Sequence, residues 1–403
     1  MAKTIVIVGA GQAAAQAVQT LRSKDAECRI ILIGDEAYLP YERPPLSKAF
    51  LAGDVDLDKI TLRKASYFEE KAVDVRLDTR VSHIDRQARE VELADGTRIG
   101  YDALILATGS RVRKLPVEGA DLPGVHYLRD VADVLGLRPH IHEGARIAIV
   151  GAGYIGLEVA AVARKHGAEV TVLEAMDRVM ARVAAEPISR FYENVHRDAG
   201  VDLRLNVGIA RFEGDGKFER VRLADGSAVE ADIVVVGIGI LPNVELAAEA
   251  GLAVDNGIVV DECCRTSDPA IFAAGDCTNH PNPLIGERIR LESVQNAVSQ
   301  GKTAALAALG IFEPYAEVPW FWSDQYDLKL QIAGLWHPDD EVVLRGDPKT
   351  HKFSAVYLRN GKIAAINTIN NLKDFLPAKK LIAEGKVVDR ERLADPEFSL
   401  KDL

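Results

Sequence analysis

Two short glycine-rich segments contain the residues of this sequence whose type and spacing point most directly to a chemistry. The first reads Gly9-Ala10-Gly11-Gln12-Ala13-Ala14, and the second reads Gly151-Ala152-Gly153-Tyr154-Ile155-Gly156. The first glycine of such a segment permits a tight turn, and the second lets the backbone approach a phosphate. A small third residue lets the following helix pack closely on its strand. Because the amides at a helix start attract negative charge, each segment predicts a site for the pyrophosphate of a dinucleotide.

An acidic residue follows each segment, where the second strand of its unit is expected to end. The predicted order is strand, glycine turn, helix and strand. It covers residues 4–8, 9–14, up to about 22 and 30–33 in the first copy, and 146–150, 151–156, 157–166 and 169–173 in the second. Asp35 and Glu174 end these units, where a carboxylate can accept hydrogen bonds from a ribose. Two ordinary βαβ units with packing glycines are the alternative. Two dinucleotides in one chain imply that something passes between them.

The composition narrows the class of protein. The chain has 403 residues, 48% of them hydrophobic, which is ample for two or three domains with their own cores. A net charge of −11 argues against a nucleic-acid partner, since a surface that follows phosphates would be basic. No apolar run is long enough to predict a membrane span. The first strand begins almost at once, so we expect no signal peptide and a cytoplasmic protein.

The four cysteines predict neither a metal site nor a redox disulfide. Cys28, Cys263, Cys264 and Cys277 form no Cys-x-x-Cys pair, and their spacing fits neither zinc nor an iron–sulfur cluster. A flavoprotein that reduces disulfides usually has a reactive cysteine or a cysteine pair. We therefore expect these residues to be buried, unreactive thiols.

A rigid loop, Arg43-Pro44-Pro45-Leu46-Ser47-Lys48, follows the first acid, and its two prolines fix the backbone. Together with both glycine segments, this loop resembles the FAD-dependent ferredoxin–NAD reductases that serve bacterial haem monooxygenases and aromatic-ring dioxygenases. The resemblance covers essentially the whole chain. It implies an α/β fold with two Rossmann-like dinucleotide-binding domains, as in glutathione reductase, and a C-terminal α+β domain without a catalytic constellation of its own. The implied boundaries are residues 1–109 and 243–322 for FAD binding, 110–242 for NAD binding and 323–403 for the C-terminal domain.

The resemblance also implies roles for three side chains near the flavin. Lys48 is expected beside the reactive edge, where a fixed ammonium stabilises the negative charge of a reduced flavin. Glu158 is expected near the nicotinamide and in an ion pair with Lys48. Trp320 is expected to form a planar wall beside the flavin. The alternatives are a surface lysine, a solvated helix glutamate and a half-buried core aromatic.

Further segments match FAD signatures of the same family. A buried strand ends in Thr108-Gly109, another ends in Gly275-Asp276, and a helix begins near Val294. Val81 is expected to contact adenine through its backbone, and Arg129 to lie near the flavin. The residues expected to contact FAD are Gly9, Gly11, Ala13, Ala14, Asp35, Arg43, Pro45, Lys48, Val81, Ala107, Thr108, Gly109, Arg129, Gly275, Asp276, Val294 and Trp320.

The second glycine segment is expected to bind NADH rather than NADPH. A carboxylate at Glu174 accepts hydrogen bonds from a free 2′-hydroxyl and repels a 2′-phosphate, whereas an NADP site favours arginine. Arg178 and Arg182 lie close enough in sequence to complicate this assignment. The residues expected to contact NADH are Gly151, Gly153, Tyr154, Ile155, Gly156, Glu158, Glu174, Arg182 and Gly239.

The electron acceptor implied by the resemblance is a two-iron two-sulfur ferredoxin. Since such ferredoxins are acidic like this chain, local basic groups are needed to offset repulsion. The candidates are Arg288, Arg290, Lys302, Lys329, Lys379 and Lys380, and scattered solvated cations are the alternative. A rubredoxin reductase, which differs only in its partner, is the closest alternative. Three further rival functions share the fold: an NADH oxidase, a disulfide, peroxide or coenzyme-A-disulfide reductase, and an interaction protein that resembles apoptosis-inducing factor.

Overall fold

The computed structural model describes residues 2–403, which form two compact units that each contain distant parts of the chain. Unit 1 contains the chain up to Glu42, together with Asp58–Arg111 and Leu241–Pro319. Unit 2 contains Arg43–Leu57, Val112–Ile240 and Trp320–Leu403. The proline-rich loop thus belongs to unit 2, whereas the first glycine segment belongs to unit 1. The predicted assignment of domains to FAD and NAD stays a prediction.

Unit 1 is built on a parallel sheet with its carboxyl ends at one edge. In spatial order its strands are Ile271–Ala273, Ala103–Leu106, Thr4–Val8, Arg29–Ile33 and Val73–Arg76. Val8 pairs with both Ile33 and Leu106, so the residues after these three strands lie side by side. Runs of buried valine, isoleucine and leucine are typical of such a sheet. The predicted first βαβ unit is confirmed.

The remaining elements of unit 1 form two smaller sheets and a set of helices. Two three-stranded sheets consist of Val81–Asp85, Glu90–Leu93 and Arg98–Gly100, and of Ile258–Val259, Thr278–Asn282 and Glu287–Ile289. The helices are Gln12–Lys24, Ala65–Glu70, Glu245–Glu249 and Val294–Ala308. A further short helix covers Leu57–Ile60. Two further short strands are Ser110–Val112 and Ile240–Pro242.

Unit 2 contains a second parallel sheet of the same kind. In spatial order its strands are Asp202–Arg204, Glu169–Leu173, Arg146–Val150, Ile233–Val236 and Val125–His126. A three-stranded sheet of Ile209–Glu213, Arg220–Leu223 and Ala228–Glu230 accompanies it. Helices Val131–Leu137, Tyr154–Lys165 and Glu186–Asp198 belong to the same part of the chain. Helix Tyr154–Lys165 begins three residues earlier than predicted, so the end of the glycine segment forms its first turn.

The C-terminal part of unit 2 is an antiparallel sheet with helices, as predicted. Its strands in spatial order are Trp320–Gln325, Leu328–Gly334, Lys362–Ile369, Lys352–Arg359 and Glu341–Asp347. Its helices are Leu372–Glu384 and Arg390–Ala394. The predicted boundary at residue 323 falls inside the first of these strands. The fold class, with two Rossmann-like parts and a C-terminal α+β part, is confirmed.

The other short helical segments complete the description. They are α-helix Ala49–Ala52 and the 3₁₀ turns Pro44–Ser47, Arg138–His140, Pro348–Thr350 and Leu400–Asp402. Among residues 2–403, the structure contains no helix of the length and apolar character needed to cross a membrane.

Candidate active site

The first glycine segment lies at the carboxyl edge of the parallel sheet in unit 1. Gly9 has a φ of +107°, and a Cβ there would lie 2.1 Å from the carbonyl oxygen of Ala107, so only glycine fits. Gly11 precedes helix Gln12–Lys24, and a Cβ built on it would have open space around it, with no atom within 4 Å. Having no side chain, Gly11 leaves the helix amides uncapped. Open space beside uncapped amides suits a pyrophosphate, so this edge of unit 1 fits FAD.

The small residues at the end of the first glycine segment are explained by packing. Ala13 and Ala14 are buried. Helix Val294–Ala308 approaches so closely that a Cβ on Gly301 would lie 2.3 Å from the carbonyl oxygen of Ala13. A larger residue at this crossing would push the two helices apart. Contacts of Ala13, Ala14 and Val294 with FAD stay predictions.

Buried polar groups meet at Gly275-Asp276, on the same edge of unit 1. The backbone amide of Gly275 donates to Gln300 Oε1 at 2.8 Å, and Asn296 Nδ2 donates to the same oxygen at 3.3 Å. Asn296 Oδ1 is buried and has no hydrogen-bond partner among the described residues. Ser110 Oγ donates to Asp276 Oδ2 at 2.8 Å. Since buried amide groups are normally paired, the unpaired oxygen fits a polar ligand such as FAD at this edge.

The other FAD candidates in unit 1 differ in exposure. Asp35 is exposed just after its strand, where a ribose could reach it. Val81 is buried at the first residue of its strand. Thr108 Oγ donates to the carbonyl oxygen of Asn243 at 2.7 Å, which fixes the turn that includes Gly109. Their roles toward FAD stay predictions.

The second glycine segment repeats this geometry in unit 2. Gly151 has a φ of +101°, and a Cβ there would lie 2.5 Å from the carbonyl oxygen of Gly237. A Cβ on Gly156 would lie 2.1 Å from the carbonyl oxygen of Gly151. A Cβ on Gly153, at the helix start, would meet no atom within 4 Å. The segment therefore has the tight turn, the open approach and the close helix packing that a dinucleotide needs.

Backbone amides fix the carboxylate of Glu174 at the end of its strand. Its Oε2 accepts a hydrogen bond from the amide of Ala152 at 2.7 Å, and its Oε1 accepts one from the amide of Met176 at 2.9 Å. The first of these donors belongs to the glycine segment. The acid is thus positioned beside the predicted pyrophosphate site, as an acid that binds ribose should be.

The two arginines near Glu174 differ in their environment. The guanidinium of Arg178 donates to Ser189 Oγ at 2.7 Å and to the carbonyl oxygens of Ala181 and Ala184. Arg178 is therefore committed to holding its own loop. Arg182 is exposed, and its Nη2 lies 3.9 Å from a Cβ built on Gly239, which is also exposed. Arg182 is thus placed near Gly239, a predicted NADH residue.

The predicted ion pair between Lys48 and Glu158 is present in unit 2. Lys48 Nζ lies 2.7 Å from Glu158 Oε2, and the two side chains are 18% and 2% exposed. Lys48 Nζ also donates to the carbonyl oxygen of Pro44 at 3.2 Å, which ties the ammonium to its own turn. The alternatives of a surface lysine and a solvated glutamate are excluded. The role of this pair toward FAD and NADH stays a prediction.

Two serines that the sequence analysis missed also bind Glu158. Ser47 Oγ donates to Oε2, and Ser323 Oγ donates to Oε1 at 2.6 Å. Strand Trp320–Gln325 alternates, so Phe321, Ser323 and Gln325 share one face. The polar pair at 323 and 325 inside an aromatic strand was a usable signal, because polar residues on a buried face need partners. Nothing in the sequence, however, identified Glu158 as that partner.

Trp320 lies on the opposite face of the same strand, among aromatic and basic side chains. Its ring is half-buried and lies 5.7 Å from that of Trp322 and 6.1 Å from that of Phe375. Lys379 Nζ stands over the Trp320 ring, 5.4 Å from its centre. This environment agrees with the alternative, a half-buried core aromatic. The expected role of Trp320 as a planar wall beside the flavin stays a prediction.

Further predicted residues of the proline-rich loop are also fixed within unit 2. Arg43 Nη1 donates to the carbonyl oxygen of Arg129 at 2.7 Å, which brings together two residues expected near the flavin. Pro45 lies in the 3₁₀ turn Pro44–Ser47.

Two predicted NADH residues of the second glycine segment differ in exposure. The ring of Tyr154 packs 4.9 Å from that of Phe321, whereas the neighbouring Ile155 is exposed. Their cofactor contacts stay predictions.

The expectation that the four cysteines are buried is confirmed. All are free and buried. Burial raises the pKa of each thiol, which keeps Cys28, Cys263, Cys264 and Cys277 protonated near neutral pH. Since the thiolate is the reactive form, these residues offer no redox relay.

Comparisons with known proteins agree with this geometry over nearly the whole chain. The model of the pyridine nucleotide-disulphide oxidoreductase family matches residues 3–301, and that of the reductase C-terminal domain matches residues 320–403. Rhodocoxin reductase of Rhodococcus erythropolis is 46% identical, over 99% of this chain and 93% of its own.

Two solved structures superpose closely on the chain. The covalent putidaredoxin reductase–putidaredoxin complex has a TM-score of 0.96 at 39% identity, covering 99% of this chain and 97% of that one. The ferredoxin reductase for the CYP199A2 system from Rhodopseudomonas palustris has a TM-score of 0.96 at 42% identity, covering 99% of both chains. The chain belongs to the FAD-dependent ferredoxin–NAD reductases of the pyridine nucleotide-disulphide oxidoreductase family.

Proposed function

We propose that this protein is a cytoplasmic reductase that takes electrons from NADH and passes them through FAD to a two-iron two-sulfur ferredoxin serving an oxygenase. The buried pair of Lys48 and Glu158 supports this best. Its lysine lies in the loop where a disulfide, peroxide or coenzyme-A-disulfide reductase is expected to have a reactive cysteine. With an ammonium in that place and every cysteine buried, electrons must leave the chain for an external acceptor.

The side chains around that pair position charge rather than transfer protons. FAD, when bound, accepts a hydride and releases electrons one at a time. Lys48 presents a fixed positive charge that stabilises added negative charge in a site of low dielectric constant. Glu158 holds that ammonium in place by a charge-assisted hydrogen bond. Direct hydride transfer needs no general base, and we assign none.

The nucleotide preference follows from Glu174. Its carboxylate is fixed by two backbone amides, so it cannot easily turn away from a bulky anionic 2′-phosphate. A free 2′-hydroxyl can instead donate to it. Arg178 is engaged in holding its own loop, and the neighbour found for Arg182 is Gly239 and not the Glu174 carboxylate. The site therefore favours NADH.

Two of the six candidate cations suit a ferredoxin surface best. Arg288 Nη2 donates to the carbonyl oxygen of Val260, and Arg290 pairs with Glu292 at 2.5 Å, so both serve local structure. Lys379 and Lys380 lie on helix Leu372–Glu384, where Lys379 covers the Trp320 ring and Lys380, whose side chain is 78% exposed, pairs with Glu384 at 3.6 Å. The same helix exposes apolar Leu372 and Leu376. Basic and apolar groups beside the predicted flavin wall suit an acidic partner that must come close to the flavin.

Reduction of cytochrome c by NADH, with and without added two-iron two-sulfur ferredoxin, tests this proposal. The purified protein should show a yellow flavin spectrum, and the rate should depend on ferredoxin. A colourless protein, or a rate that is independent of ferredoxin and accompanied by rapid oxygen uptake, would contradict the proposal. The latter outcome would indicate an NADH oxidase.

A charge-reversed double variant tests the docking surface. K379E/K380E should weaken ferredoxin-dependent reduction and flatten its dependence on salt, because attraction between exposed charges is screened by ions. The control is K401E, which reverses the charge of one exposed lysine of unit 2 outside this helix and should behave like the wild type. If K379E/K380E reduced ferredoxin at the same rate and with the same salt dependence as K401E, Lys379 and Lys380 would be excluded from the docking surface.

A further inference from the structure

A continuous chain of buried hydrogen bonds connects Glu158 to a tyrosine at the surface of unit 2. Ser323 Oγ lies 2.6 Å from Glu158 Oε1, and Gln325 Nε2 lies 3.1 Å from Ser323 Oγ. Gln325 Oε1 lies 2.9 Å from His196 Nε2, and His196 Nδ1 lies 3.1 Å from the hydroxyl of Tyr326. The first four residues are almost fully buried, and only Tyr326 is exposed.

The hydrogen bonds of this chain all point in one direction. The carboxylate can only accept, so Ser323 donates to it, Gln325 donates to Ser323, and His196 donates through Nε2 to the amide oxygen. Nδ1 must then accept from the Tyr326 hydroxyl. Burial lowers the pKa of His196 to about 4, so the ring is neutral near neutral pH, with its proton on Nε2. Every donor faces toward Glu158.

The Gln325 amide, in the middle of this row of hydrogen bonds, decides whether the row can carry protons or only positions side chains. A proton wire needs groups that can accept a proton on one side and release one on the other, and hydroxyls and imidazoles do so. The Gln325 amide has separate donor and acceptor atoms and does not relay protons in this way. Instead, each side chain is held in one orientation by a hydrogen bond from the next residue in the row. Residues behind an active site hold its functional groups in place in the same way.

We propose that Ser323, held by Gln325 and His196, is a positioning residue that sets how much of the Glu158 charge faces Lys48, and thereby tunes the reduction potential of the bound flavin. This inference rests on the proposed function, since it takes Lys48 to lie beside FAD. Ser47 and Lys48 share Oε2, whereas Ser323 alone of the three binds Oε1. Ser323 thus competes with Lys48 for the negative charge of one carboxylate.

The direction of the effect follows from this competition. Without the Ser323 hydroxyl, more of the Glu158 charge neutralises Lys48, and a reduced flavin is stabilised less. A hydrogen bond to a charged group is stronger than one between neutral groups, and only part of its free energy differs between oxidised and reduced flavin. We expect the ratio of reduced to oxidised flavin at a fixed potential to fall about threefold.

A redox titration of the holoprotein against a dye of known potential, read from the flavin spectrum, tests this inference. S323T and S323V have side chains of nearly the same shape and differ in the hydroxyl, so both place the same extra methyl group in the site. We expect S323V to lower the flavin potential and S323T to retain the wild-type value. S354A is the matched control, because Ser354 is also fully buried and donates to a carboxylate, that of Asp374, at 2.9 Å.

K48A separates failure of this inference from failure of the proposed site. If K48A lowers the potential while S323V equals S323T, the network does not tune the flavin, and the inference is wrong although the site stands. If neither K48A nor S323V changes the potential, Lys48 is not at the flavin and both proposals fall. A shift in S354A as large as that in S323V would show a general effect of the buried sheet and would also overturn the inference.

Discussion

Acid should destabilise this protein through His196, and substitution of this one residue should remove that part of the pH dependence. Burial in unit 2 lowers the pKa of His196 from 6.5 to about 4. An unfolded chain therefore binds a proton at this residue between pH 6.5 and 4, while the folded chain does not. The contribution of His196 to the free energy of unfolding is therefore fully present above pH 6.5 and is lost as the pH falls from 6.5 toward 4. The loss approaches about 3 kcal/mol at low pH and is about 2 kcal/mol at pH 5 relative to pH 8.

Urea unfolding of the holoprotein at pH 8 and pH 5, followed by circular dichroism, measures this difference. In H196Q the amide can still donate to Gln325, but it does not titrate, so the drop in unfolding free energy should be about 2 kcal/mol smaller than in the wild type. H142Q is the control, because His142 is exposed in unit 2 and is expected to leave the drop unchanged. An H196Q protein with the full wild-type drop would show that His196 is charged in the folded protein, and the tautomer assigned above would be wrong.

Three further substitutions test other parts of the structure. G9A should abolish the flavin spectrum of the purified protein, because its Cβ would collide with the Ala107 carbonyl, whereas G136A, with no atom within 4 Å of its Cβ, should retain the flavin. E174S should lower the kcat/KM ratio of NADH over NADPH about tenfold or more, because it removes the repulsion of a 2′-phosphate, and an unchanged ratio would remove Glu174 from the ribose site. R345M should lower the unfolding free energy by about 3–5 kcal/mol, because it leaves the buried Asp374 carboxylate without its ion partner; a loss below 1 kcal/mol in thermal unfolding would refute this.

The parts of the fold that depend on neighbouring residues were predictable from the sequence. Strand Arg146–Val150, the glycine turn after it and strand Glu169–Leu173 were predicted to the residue, because their signals are a hydrophobic run, a turn that only glycine can make, and a terminal acid. The helix between them begins earlier than predicted. Its first turn contains Gly156, whose low helix propensity is outweighed by the close packing that only glycine permits.

The parts of the site that depend on contacts between residues far apart in the sequence were harder to predict. The pair of Lys48 and Glu158 spans 110 residues and was expected only because of the family resemblance. Ser323 is 165 residues from Glu158 and belongs to a part of the chain in which we expected no catalytic constellation. The alternation of its strand indicates that Ser323 and Gln325 share a face. It does not indicate what that face meets, because a strand pattern has no information about tertiary partners.

The stability of the protein does not explain why Glu158 is buried in this setting. Removing two charges from water costs several kcal/mol for each ion, and apolar residues of similar size in place of a buried pair are often equally stable or better. This chain surrounds the pair with two serine hydroxyls and then fixes one of them through an amide and an imidazole. Such an arrangement adds more buried polar groups that must each be satisfied, which increases the cost of any imperfect contact. The benefit must therefore lie in function. A charge fixed in position needs no rearrangement when a neighbouring group gains or loses charge, and this is the property that a carrier of successive electrons requires.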